Sequence, residues 1–173
     1  MKKLCWSSKL AVVLVTAVSL LVSVTEAGAA DLKWRQPQHG IKAELVQVGD
    51  VPGHVVGAGE NGGLAFFESG EVAINSTKFT IDYTNGSGTH QFYSLYTFED
   101  GSTFVTKGQG TATSDQTRKT AMFKGTFSFI QGTGRFARIE GEGSYTGKRF
   151  APLPGAGAEI YVDNAATYTV PYR

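Results

Sequence analysis

The fold class is decided by residues 123–147, which read FKGTFSFIQGTGRFARIEGEGSYTG. Two segments that alternate apolar and polar residues flank residues 132–134, Gly-Thr-Gly, where glycine allows the positive φ of a tight turn. The phenylalanines of the first segment, Phe123, Phe127 and Phe129, share one face because successive strand side chains point to opposite sides. The stretch therefore predicts a β-hairpin with one apolar face, which is typical of the inside of a barrel or a sandwich.

The rest of the chain repeats this pattern, because 22 glycines recur between 11 phenylalanines and 7 tyrosines and no segment keeps a 3.6-residue apolar period. Strands are predicted at residues 41–48, 54–59, 64–68, 71–82, 90–98, 103–113, 120–130, 136–146 and 159–170. Turns are predicted at residues 61–63, 85–88 and 100–101, where Asn or Asp stands beside glycine. The sequence therefore predicts an all-β protein, a single closed antiparallel up-and-down β-barrel of about eight strands.

The N-terminal residues 1–29 have the three regions of a secretory signal peptide. Lysines at positions 2, 3 and 9 precede an uncharged run, and Ala27 and Ala29 follow in A-x-A spacing. The run at 10–24 is short for a membrane span, which needs about 20 residues. We predict cleavage near Ala29 or Ala30 and a secreted or periplasmic protein, and the Met-Lys-Lys start looks bacterial.

Cleavage leaves a polar lead-in at residues 30–40 and a β-barrel domain at residues 41–173. The single cysteine, Cys5, leaves with the signal peptide, so the barrel must fold without a disulfide. Basic and acidic residues nearly balance, with a formal net charge of +1 for the whole chain. Nucleic acids and anionic membranes favour basic surfaces, so neither is predicted as a partner, and no stable membrane anchor remains after cleavage.

Three segments in this order resemble the allene oxide cyclase-like barrel proteins, the group of plant allene oxide cyclases and dirigent proteins. They are YSLYTF at 93–98, DGS at 100–102 and GTGRF at 132–136, with Gly141 after them, and the last matches the G-[ST]-G-x-F turn of the group. The resemblance covers about residues 53–148. It implies an eight-stranded antiparallel barrel with an apolar cavity, often assembled as a homotrimer.

The catalytic residues of the plant cyclases have no clear counterparts in this sequence. Those enzymes carry a glutamate and an asparagine two residues apart on the first barrel strand, whereas here Val46 stands two residues after Glu44. The segment 108–114, GQGTATS, lacks the tyrosine that the resemblance would place after the preceding strand. Catalytic residues are therefore left unknown.

Two further patterns are interpreted as structural. Residues 57–62 match G-x-G-x-x-G, but a strand-like segment follows where a dinucleotide site needs a helix, so we predict a turn. His39, His54 and His90 are scattered and predict surface histidines rather than a zinc site. The sequence predicts no cofactor and no metal.

The last strand supplies the best polar candidate for a binding site. Every second residue from 160 to 170 is apolar or aromatic except Asn164, so an amide interrupts an inward-facing row. A buried amide needs a hydrogen-bond partner, which could be backbone, water or ligand. The predicted ligand-binding residues are Asn164, Tyr168, Tyr145, Tyr96 and Phe127.

Two functions remain open at this point. The first is a barrel that encloses a small, mostly apolar molecule in an aromatic-lined cavity. The second is an allene oxide cyclase-like isomerase that folds a reactive substrate in the same cavity, where proximity supplies the rate. An inward-facing ionisable group without a structural partner would favour the second, and the sequence shows none convincingly.

Overall fold

Eight antiparallel strands close into one barrel in the computed structural model, which describes residues 28–151 and 158–171. The strands are β1 Ala30–Gln47, β2 His54–Phe67, β3 Val72–Thr84, β4 Ser87–Phe98, β5 Thr103–Asp115, β6 Thr120–Thr133, β7 Glu140–Arg149 and β8 Glu159–Thr169. Each strand pairs with the next along the chain, and β8 pairs with β1 to close the barrel. The predicted closed up-and-down barrel is confirmed.

One predicted segment falls mainly outside the described residues. Of the predicted signal peptide at 1–29, only Gly28 and Ala29 are described. Over the described ranges the structure has no helix long and apolar enough to cross a membrane.

The hairpin around the Gly-Thr-Gly break is confirmed, because β6 and β7 pair antiparallel. Gly134 has a φ of +58°, in the left-handed region that favours glycine. Residues Gly134–Phe136 form a short 3-10 turn, so the second strand begins at Glu140 rather than at residue 136.

The predicted lead-in at residues 30–40 is instead the first half of β1. Trp34, Gln36 and Gln38 alternate with exposed neighbours and are buried inside the barrel. The prediction was wrong here because two of the three inward residues are glutamines, so the strand lacks the apolar alternation by which strands are recognised.

The predicted turn at residues 61–63 is also absent, and residues 54–67 form one continuous strand, β2. Its glycines serve close packing between strands instead of a turn. A Cβ at Gly63 would collide with the carbonyl oxygen of Pro37 on β1, and one at Gly59 would collide with the ring of Phe79 on β3. The turn predicted for the G-x-G-x-x-G segment at residues 57–62 is wrong for the same reason, because these residues lie within β2.

The two ends of the barrel interior differ in how they are filled. The end formed by the start of β1 and the turns at residues 68–71, 99–102 and 134–139 is packed with rings, and we call it the aromatic end. Its buried rings are Trp34, Phe67, Phe98, Phe104, Phe127, Phe129 and Phe136. Centroids lie 5.5 Å apart for Trp34 and Phe67 and 4.9 Å apart for Phe98 and Phe136, the spacing at which aromatic pairs attract each other beyond burial alone. This end of the barrel is therefore closed by the core itself.

Candidate ligand-binding cavity

The interior between the aromatic end and the opposite barrel opening holds a cavity. Its volume is about 100 Å³, measured as the space open to the centre of a water molecule. Apolar side chains form much of its wall, including Phe79, Ile81, Phe92, Phe123 and Val162. A single ordered water needs only about 10–15 Å³ on this measure, so the space exceeds what isolated buried waters require.

One side of the cavity carries a buried polar cluster whose hydrogen bonds are made within the protein. The Gln38 Nε2 atom donates to Asn75 Oδ1 at 2.5 Å and to Thr77 Oγ1 at 2.8 Å. The hydroxyls of Thr77 and Ser94 are 2.8 Å apart, and Asn75 Nδ2 donates to the carbonyl oxygen of Leu95 at 3.3 Å. Because these groups satisfy one another, the cluster fixes the wall without needing a ligand.

Tyr96, a predicted ligand-binding residue, lines the cavity but has a structural partner. Its hydroxyl donates to Gln36 Oε1 at 2.7 Å, and Trp34 Nε1 donates to the same oxygen at 3.2 Å. Burial raises the pKa of Tyr96 above its ordinary value, so the phenol stays neutral. The group is best described as part of the wall.

Asn164 faces inward, as the alternation of the last strand predicts, and it lines the cavity. It lies opposite Trp34 on β1 and Tyr145 on β7. Its Nδ2 is buried and has no hydrogen-bond partner, the one buried side-chain atom of the described residues with this property. An unsatisfied buried donor costs about 1–3 kcal/mol, so an acceptor inside the cavity would relieve a real penalty.

A second polar cluster lines the cavity and centres on His90. The His90 Nε2 atom lies 2.6 Å from the Tyr145 hydroxyl, and Nδ1 lies 3.2 Å from the Tyr83 hydroxyl. Burial lowers the pKa of His90 to about 4 and raises that of Tyr83 to about 12. All three groups are therefore neutral at pH 7, and the imidazole donates to one tyrosine while accepting from the other.

The prediction that all three histidines are surface residues was thus wrong for His90. The sequence does not indicate that His90 is buried, because this residue stands just after the hairpin at 85–88, where exposed residues are common. His39 is exposed and paired with Glu159 at 2.9 Å. His54 is half-buried, with its ring nitrogens 2.6 Å from Asp50 and 2.8 Å from Asp82, and these carboxylates raise its pKa.

Arg149, at the end of β7, is a cavity residue that sequence reasoning missed. Its side chain is buried, with only 4% of the residue exposed. Nε donates to the carbonyl oxygen of Ala151 at 2.7 Å, and the guanidinium lies 5.7 Å from the ring centroid of Phe123. Across the described ranges no Asp or Glu forms an ion pair with it. Burial lowers the pKa of Arg149, but an arginine remains protonated in proteins.

The five predicted ligand-binding residues divide between the two parts of the interior. Asn164, Tyr145 and Tyr96 line the cavity. Phe127 lies in the aromatic end, with its ring 5.5 Å from that of Trp34. Tyr168 is half-buried beside Phe129, at 6.2 Å, and belongs to the same end. Both are inward-facing, but they sit too far along their strands to reach the cavity.

No cluster of three or more His, Cys, Asp or Glu side chains within the described part of the chain is arranged to hold a metal ion.

Comparison with known proteins adds two similar folds. No family model matches the chain, and no curated protein matches it. The pterocarpan synthase dirigent protein GePTS1 is 12% identical, with 90% of this chain and 97% of that chain covered and a TM-score of 0.47. The pterocarpan synthase dirigent protein PsPTS1 is 15% identical, with 84% and 97% covered and a TM-score of 0.49. The description of the barrel rests on the strand pairing of this chain alone.

Proposed function

We propose that this chain is a binding protein that encloses a small, mostly apolar molecule in the barrel cavity. The observation that carries the proposal is the buried Nδ2 of Asn164, which lines the cavity and has no hydrogen-bond partner among the described residues. Ligand sites typically combine apolar walls with a few polar groups that fix orientation. An acceptor on a bound molecule would complete the hydrogen bonding of Asn164.

The test replaces Asn164 with leucine, which has a similar volume and no polar atoms. Because the donor has no partner among the residues that the structure describes, Asn164→Leu should leave the unfolding free energy unchanged or raise it, while binding of 3-phenylpropanol weakens in calorimetric titration. Asn75→Leu is the matched control, since that amide is bonded on both sides and its loss should cost about 1–3 kcal/mol. A wild-type protein that binds neither this alcohol nor the corresponding acid, 3-phenylpropanoate, contradicts the proposal. An Asn164→Leu variant that loses stability and binds the alcohol normally contradicts it as well.

A second candidate function is favoured by one observation, the chain of hydrogen bonds through Tyr83, His90 and Tyr145. A neutral imidazole between two phenols can pass a proton across the cavity wall, which an allene oxide cyclase-like isomerase could use while the cavity folds its substrate. His90→Gln would then slow cyclisation of an allene oxide while leaving 3-phenylpropanol binding intact. A wild-type protein that does not alter the rate or the stereochemistry of that cyclisation rules this candidate out.

The proposal includes export through the predicted signal peptide. Strand β1 begins at Ala30, so cleavage after Ala29 or Ala30 leaves the barrel strand essentially whole. The intact mass of the protein recovered outside the cytoplasm should correspond to a chain that begins at Ala30 or Asp31. A retained N-terminus would contradict export by cleavage.

We also propose that the barrel assembles as a homotrimer, through an apolar strip on its outer surface. The strip consists of Leu64, Phe66, Val72, Ile74 and Leu95, with exposed fractions between 41% and 65%. Leu64 pairs with Ile74 and Phe66 with Val72 across β2 and β3, so the side chains are contiguous. Contiguous exposed apolar surface on a soluble protein commonly marks an interface.

A further inference from the structure

Arg149 presents a cation that no carboxylate among the described residues neutralises. Its guanidinium is buried at the cavity wall, with one backbone acceptor and the face of Phe123 as its contacts. Burying a charge without a counter-charge is strongly unfavourable, and buried charges in proteins are generally paired. A buried cation at a cavity wall can instead be paired by an anionic molecule that binds in the cavity.

The described residues around the cavity provide no counter-ion for Arg149. Among the described residues that line it there is no Asp or Glu. The other cationic side chain at the wall, Lys42, is exposed and paired with Glu44 at 3.0 Å. His90 is neutral, as shown above, and the sequence between Ala151 and Ala158 contains no acidic residue. Among the described residues that line the cavity, Arg149 is therefore the one cationic group without a paired carboxylate.

Asn164, at a second place in the cavity wall, also offers a donor to a bound molecule. The Asn164 Nδ2 lacks an acceptor, and it stands opposite Tyr145 on β7. Arg149 is four residues beyond Tyr145 on the same strand and on the same face, which is about 13 Å along the strand. An acceptor that pairs with Arg149 must carry negative charge to balance the cation, and a longer molecule could also bring an acceptor to Asn164.

We propose that the molecule bound in this cavity carries a carboxylate, that Arg149 is its counter-ion, and that its apolar body lies between Arg149 and Asn164. This rests on the proposed binding function and adds the chemical class of the ligand. One unpaired guanidinium matches one negative charge, and the guanidinium fork can hold both oxygens of a carboxylate. The apolar body has the rings of Phe79, Phe92 and Phe123 as its contacts.

The experiment compares two probes with the same apolar body, 3-phenylpropanoate and 3-phenylpropanol, by calorimetric titration at pH 7 and low salt. The wild-type protein should bind the carboxylate at least tenfold more tightly than the alcohol. Arg149→Gln should remove that preference, so that the acid and the alcohol bind with similar affinity, and Arg149→Lys should keep a preference for the acid. Arg118→Gln is the matched control, because it removes the same charge from an exposed arginine paired with Asp115 and should keep the full preference.

The outcomes separate this inference from the function on which it rests. If the alcohol binds the wild-type protein as tightly as the acid, the binding function stands and the carboxylate class is wrong. If neither probe binds, the binding function fails and the inference fails with it. A preference for the acid that persists in Arg149→Gln, or that falls equally in Arg118→Gln, assigns the effect to overall charge and refutes the role of Arg149. Arg149→Lys is a second test in case Arg149→Gln does not fold. A folded lysine variant that shows no preference for the acid also refutes the role of Arg149.

Discussion

Replacing His90 with glutamine should make the barrel less sensitive to mild acid. In the folded protein burial lowers the pKa of His90 to about 4, whereas an unfolded histidine titrates near 6.5. As the pH falls from 7, the unfolded chain takes up a proton at this position before the folded protein does. The unfolding free energy therefore falls with decreasing pH, and the loss is complete only below pH 4.

The size of the effect follows from the two pKa values. The difference of about 2.5 pK units corresponds to about 3 kcal/mol in full, at 1.36 kcal/mol per unit. Between pH 7 and pH 5 the same two values give a loss of about 2 kcal/mol. Glutamine cannot be protonated in this range and can still bond one of the neighbouring tyrosine hydroxyls, so His90→Gln should lose about 2 kcal/mol less than the wild-type protein over this interval.

Urea unfolding at pH 7, 6 and 5, followed by the fluorescence of the buried Trp34, measures the difference. The carboxylates whose pKa values are lowered, Asp50, Glu60 and Asp100, and the histidine whose pKa is raised, His54, are present in both proteins and cancel in the comparison. His39→Gln, at an exposed position, should retain the wild-type acid loss. If His90→Gln loses as much stability between pH 7 and pH 5 as the wild-type protein does, His90 is not held neutral by burial and the reasoning fails.

Two further substitutions test the hairpin and the outer surface. Gly134→Val should lower the unfolding free energy by about 1–3 kcal/mol, because valine disfavours a φ of +58° and its Cβ would meet the side chain of Ser102; an unchanged urea midpoint would show a different turn. Ile74→Lys, at a position with 65% of the residue exposed, should disrupt the trimer in sedimentation measurements without lowering the urea midpoint, whereas Met122→Lys, outside the apolar strip, should leave it intact. An Ile74→Lys protein that sediments like the wild type would remove this strip from the interface.

The barrel was predictable because, in most of its strands, apolar residues at buried positions alternate with polar residues at exposed positions. β6 and β8 show it clearly, and the parity of Phe127 and Asn164 is confirmed by their burial. β1 is the exception, since the inward residues that follow Trp34 are glutamines whose polar atoms bond to Tyr96 and Asn75 across the barrel. Such partners come from strands far away in sequence, so nothing local marks a glutamine as buried.

The cavity was predictable only where a polar residue interrupts an apolar row. Asn164 gives that signal, because apolar or aromatic residues flank it at every second position. Arg149 does not, since the residues before it on the same face of β7 are Gly143, Tyr145 and Gly147, and glycine reports neither exposure nor burial. A reading of β7 that carries the parity of Tyr145 forward by four residues places Arg149 inside, and this is the one sequence signal that could have found it.

The strand glycines explain why a barrel of this size has room for a ligand at all. Eight strands enclose an interior that side chains normally fill. Here inward-facing glycines let rings lie against the neighbouring strand: a Cβ at Gly108 would collide with the ring of Phe92, and one at Gly110 or Gly125 would collide with the hydroxyl of Tyr145. Both aromatic residues line the cavity, so the space beside them depends on side chains that are missing from the wall. The glycines that predict turns in the sequence therefore also shape the cavity. A ring packed closely against a neighbouring strand requires glycine there, just as a positive φ favours glycine in a turn.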